Sequence, residues 1–70
     1  MTIYDLIEQL TIQGAYCIKQ WHEVDNDCVV LEEGQDFECE WYNFSDMVMN
    51  TKISYMYVVN NVLMIELEWD

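Results

Sequence analysis

Basic side chains are almost missing from this sequence. Lys19 and Lys52 are the only two, and fourteen Asp and Glu residues stand against them, for a formal net charge of -12. Two lysines cannot make a phosphate-binding patch, which excludes direct binding of DNA or RNA. Proline is absent and glycine occurs only at Gly14 and Gly34. No linker composition is left, so a single domain over residues 1–70 is expected. No apolar run is long enough to cross a bilayer, and the first residues lack the basic, apolar and small-residue order of a signal peptide. A cytoplasmic protein without membrane contact is the expectation.

Reactive chemistry is equally thin. His22 is the one histidine. It falls on a predicted strand beside Trp21, where a solvated or partly packed role is expected rather than that of a catalytic base. Cys17, Cys28 and Cys39 are odd in number and widely spaced, which argues against a disulfide framework, and no C-x-x-C pair suggests zinc. They read as small apolar core residues. Asp25, Asn26 and Asp27 form a D-N-D triplet, but the glycine and the bidentate glutamate of an EF-hand loop are missing. No phosphate-cradling glycine loop occurs, and the carboxylates lie mostly at outward positions where nothing separates their pKa values. No catalytic residue, cofactor or metal is expected.

What the chain does have is apolar residues, 53% of the total, including two Phe, three Trp and five Tyr. A chain this charged with few apolar residues would stay disordered; this one can fold and carry its charge on a compact surface. At this length folding buries only about 60% of the unfolded surface. A single core then supplies about 3 to 5 kcal/mol, and little volume remains for a deep cleft.

Thr2 followed three residues later by Asp5 predicts a capping box and a helix starting at residue 2 or 3. Ile3, Leu6, Ile7 and Leu10 give it one apolar stripe, and Gly14 is a natural stop. Residues 15–23 and 28–33 are rich in β-branched and aromatic types and flank a polar turn, which predicts a hairpin. Phe37, Cys39 and Trp41 alternate with Glu38, Glu40 and Tyr42, which predicts a half-buried strand. A helical reading through Phe37, Trp41 and Phe44 competes with it. Residues 43–52 read as a loop or a short helical turn beginning near Ser45. Residues 53–59 and 62–69 flank Asn60 and Asn61, which tolerate the positive φ of a two-residue turn. That register sets Val58 opposite Leu63 and Met56 opposite Ile65, facing the helix with Leu67, and leaves Tyr55, Tyr57, Met64, Glu66 and Glu68 on the other face. The expected fold is α+β, one N-terminal helix on a four- to five-stranded, mostly antiparallel sheet.

The acids suggest a use. On a strand, residues two apart point the same way at about 6 to 7 Å. Glu38 with Glu40 and Glu66 with Glu68 fit this pattern, and Asp25 with Asp27 approximates it. Phosphates along one nucleic-acid strand recur at a spacing of similar order. Outward Glu residues commonly serve only solubility and edge protection. However, solubility calls for a net charge of magnitude about 2 to 8, and this chain exceeds it. The expected contact surface is Glu38, Glu40, Glu66 and Glu68, supported by Asp25, Asp27, Glu32, Glu33 and Asp36. Tyr55, Tyr57 and Tyr42 point outward among them as anchoring area. The partner expected from charge is a basic nucleic-acid-binding protein.

In its size, its acidic excess, its opening MTIYDLIEQL and its closing VLMIELE, the chain resembles the very small acidic proteins of phages and mobile elements, among them DNA-mimicking anti-CRISPR and anti-restriction proteins. The resemblance implies a non-enzymatic inhibitor that occupies the DNA-binding surface of a host defence complex, a Cas effector subunit being the expected partner. The alternative is a small regulatory module that binds through an apolar and aromatic sheet face, as a monomer or a homodimer.

Overall fold

The structure, a computed structural model, describes residues 1–68. The first helix, α1 (Ile3–Gln9), starts where the capping box places it. The Asp5 amide donates to the Thr2 hydroxyl at 3.3 Å, and the Thr2 amide donates to the Asp5 carboxylate at 3.0 Å. It ends well before Gly14. Leu10 is already extended and 52% exposed, because the chain leaves the helix to lay Ile12 against the core. Gly14 instead turns the connection at φ 96, and its carbonyl accepts from the Phe37 amide at 3.0 Å.

Four strands follow the expected hairpins: β1 (Tyr16–His22), β2 (Asp27–Gly34), β3 (Ile53–Val59) and β4 (Val62–Leu67). They lie in the order β2-β1-β4-β3. The two hairpins pair antiparallel, while the central β1 and β4 run parallel, joining segments far apart in sequence. The fold is thus α+β with a mixed sheet. Asn60 and Asn61 take φ 51 and 64, the double positive turn that closes a two-residue hairpin, and Val58 lies opposite Leu63 with Met56 opposite Ile65. Trp69, the end of the predicted closing strand, lies outside the described residues.

The strand expected over residues 37–42 does not form. Phe37–Glu40 is a short helix, α2, continued by a 3-10 turn at Trp41–Asn43. The alternation there is outcompeted by the helical spacing, since Phe37 and Phe44 enter the core with Trp41 against it, while Cys39 stays exposed. Phe37, Phe44 and Tyr16 form an aromatic trio with ring centroids 5.3 to 5.6 Å apart, Phe37 meeting both partners edge-to-face and Tyr16 and Phe44 tilted against each other. The last helix, α3 (Asp46–Asn50), begins where Ser45 accepts from the Val48 amide at 3.3 Å.

These helices cover one face of the sheet, burying Ile18, Ile65 and Leu67 against Ile3, Val48 and Met49. The cover stops over β4. Met56 and Val58, expected under the helix layer, are 43% and 67% exposed. The cysteines do not fill the core either, since Cys17 and Cys28 are half-buried on the sheet and Cys39 is exposed.

Candidate functional site

All thirteen acids among the described residues lie at exposed or half-buried positions, with a marked asymmetry. Between Lys19 and Lys52 the chain carries nine acids and no further lysine or arginine. Topology gathers most of these along one edge. Asp25 lies in the turn before β2, an edge strand; Asp27 opens that strand, and Glu32 and Glu33 lie near its end. Asp36, Glu38 and Glu40 follow on and around α2. The opposite edge, β3, holds no acid at all.

The expected rows of carboxylates are therefore rearranged. Glu38 and Glu40 belong to a helical turn, where residues two apart do not share a face. Glu38 accepts from the Gln13 side chain at 3.0 Å, and Glu40 accepts from the Tyr16 hydroxyl at 2.7 Å. Glu66 accepts from the Tyr57 hydroxyl. Glu68 lies just past β4, its amide bonded to the Lys52 carbonyl and its carbonyl to Gln20. Glu66 and Glu68 thus sit apart from the acids of β2 and α2, and Tyr42, though 67% exposed, lies on the 3-10 turn against Trp41.

Glu40 also anchors its turn to the sheet. A side chain at Gly34 would run into the Glu40 carboxylate and come within 2.7 Å of the Tyr16 hydroxyl, so adding one would push the Glu40 carboxylate off its bond to Tyr16. Burial, then the bond to Glu40 and the charge of Glu32, holds the Tyr16 hydroxyl well above its ordinary pKa near 10. The folded state therefore keeps this proton to a higher pH than the unfolded chain. The stability it provides is whole below pH 10 and drains away as pH climbs beyond. Tyr16→Phe should cost about 0.5 to 1.5 kcal/mol at neutral pH and flatten the alkaline decline. Urea midpoints of both proteins, measured across the alkaline range, check this, and parallel curves would refute it.

The uncovered sheet face contains a contact that the sequence did not flag. The Lys19 ammonium lies 5.9 Å from the centroid of the Tyr57 ring, and its pKa is raised by Tyr57 and then by Glu66. The signal is the alternation of Cys17, Lys19 and Trp21 on β1, but which strand lies beside them depends on the parallel pairing. Lys19 thus offsets the acid of its own face and leaves β2 unbalanced. His22 Nδ1 lies 3.9 Å from the Asp25 carboxylate, and among the described residues neither lysine forms an ion pair with an acid.

Reactive groups are not assembled. His22 bonds to Gln20 at 3.0 Å, and burial pushes the Cys17 thiol up, aided by Glu33. The Cys39 thiol is also raised, by its bond to Asp36. Thiols shifted upward are poor nucleophiles. Among the described residues no group of three His, Cys, Asp or Glu is placed to hold a metal ion, and no helix is long and apolar enough to cross a membrane. No protein-family model, curated protein or solved structure matches this chain.

Proposed function

We propose that this protein is a non-enzymatic inhibitor that uses the β2–α2 edge as a folded polyanion and occupies the basic nucleic-acid-binding surface of another protein. The supporting observation is the unbalanced edge. Asp25, Asp27, Glu32, Glu33, Asp36, Glu38 and Glu40 lie along and just beyond a strand of eight residues, with no base among them. At about 3.3 Å per residue that strand is roughly 25 Å long, and the three acids on it, Asp27, Glu32 and Glu33, are extended at its ends by Asp25 and by Asp36, Glu38 and Glu40 into one acidic edge, sparser than a nucleic-acid strand with one phosphate per roughly 3.4 Å. Glu66 and Glu68 drop to a secondary role. A Cas effector complex is the proposed partner class, and the host cytoplasm, where the three thiols stay reduced, the proposed location. Electrostatic steering would speed association, and apolar contacts beside the acids would slow release.

The test is capture of a purified DNA-binding Cas effector at low and high salt, with target duplex as competitor. Binding should weaken steeply between about 0.05 and 0.5 M salt, as charge-driven contacts do, and duplex should displace the protein. Salt-indifferent capture without competition would instead favour a regulatory module binding through the open sheet face around Tyr57 and Lys19, which is uncovered and carries both aromatic and charged groups.

A further inference from the structure

We infer that a second copy of this chain docks on the β3 edge, so that two sheets join through an antiparallel β3–β3 pair into one continuous sheet. Three observations lead there. First, β3 is an edge strand, paired with β4 alone among the described residues; its Ile53 amide donates to the Met1 carbonyl, but along the regular stretch beyond Ser54 every second residue presents its amide and carbonyl outward. These groups ask for another strand rather than for a side-chain pocket. Second, β3 is exposed on both faces although its sequence is apolar and aromatic. Tyr55 is 65%, Met56 43%, Val58 67% and Val59 47% exposed. Edge strands that stay single are guarded by charges, proline or bulges. The β2 edge has both acids and a bulge, at Leu31, where Ile18 and Lys19 pair with Glu32 and Val30. On β3 the one irregularity is at Ser54, leaving residues 55–59 regular and without a charge.

Third, charge selects the occupant. Two chains of net charge -12 repel, and the repulsion is least where neither brings an acid. Because β2 and β3 are opposite edges of the sheet, β3–β3 pairing keeps the two acidic edges at the far ends of the assembly. A basic partner, in contrast, would be drawn to the β2 edge and leave β3 bare. A two-fold axis makes the contact self-complementary. Centred on Tyr57, the middle of the regular stretch, it sets Met56 of each copy beside Val58 of the other and brings the two Tyr57 rings together. The assembly would present two acidic edges to partners.

Sedimentation over a concentration series tests this. The native chain should shift from 8.5 kDa toward twice that mass, and the shift should strengthen with added salt, because screening removes repulsion. That trend is opposite to the one expected for binding a basic partner, so either reading can fail without the other. Met56→Lys and Val58→Glu, both at exposed positions, should each weaken self-association by about tenfold or more. Mixing the two variants should restore it, since the ammonium introduced in one chain then meets the carboxylate introduced in the other. Hydrogen exchange of the native chain provides a check independent of variant folding, since the outward β3 amides should gain protection as concentration rises. A monomer at every concentration, a dimer indifferent to both variants, a mixture no tighter than its components, or outward amides that never gain protection would each overturn the proposal.

Discussion

Phe37→Ala is expected to leave no folded protein at room temperature. The Phe37 ring is 1% exposed and meets both Tyr16 and Phe44 edge-on. Truncating such a ring removes its transfer free energy and leaves a cavity, together about 3 to 5 kcal/mol. A core in a domain this small supplies about the same amount, so nothing remains to hold the chain. The loss is compounded because Phe37 ties α2 to the sheet, and its amide bonds to Gly14. Phe37→Leu keeps most of the volume and should cost less than about 1.5 kcal/mol. Near-ultraviolet circular dichroism and urea titration of the two variants read the difference. A cooperative transition for Phe37→Ala near the native midpoint would show that the aromatic trio is not the centre of the fold.

Reversing two acids of the β2–α2 edge should break partner binding without touching the fold. Glu33 and Glu38 are both exposed, and Glu33→Lys with Glu38→Lys moves the net charge from -12 to -8, two units per site. At about 1 to 2 kcal/mol for each reversed contact, affinity for a basic groove should fall by roughly 30- to 1000-fold. Glu8→Lys with Asp46→Lys is the matched control, since these exposed acids lie on α1 and α3 and the net charge change is the same. The control should lose far less. Equal losses in a binding titration would mean that total charge, and not the edge, drives recognition.

How much of this was legible in the sequence depends on how local each determinant is. Thr2 with Asp5, Ser45, and the Asn60–Asn61 pair each fix a terminus or turn through bonds and φ angles within a few residues, and all three formed as read. Residues 37–42 were ambiguous because Phe37, Cys39 and Trp41 satisfy a period of two while Phe37, Trp41 and Phe44 satisfy a helical spacing, and only the place for Phe37 and Phe44 beside Tyr16 decides between them. Gly14 was read as the helix stop, but contact of Ile12 with the core ended α1 sooner. The acids were legible as a quantity and misread as a pattern. Glu38 with Glu40 counted as a row only while that segment was taken for a strand.

The sequence by itself determined the sign and size of the charge, the two hairpins, the helix starts and a chain apolar enough to fold, because these follow from composition and from contacts between near neighbours. The tertiary structure alone decided that β1 and β4 run side by side in parallel. That pairing makes β2 and β3 the two edges, and so separates an acidic side of the molecule from an uncharged one. Pairing between distant strands depends on how the helix layer and the sheet fill a shared core, and no stretch of neighbouring residues encodes it.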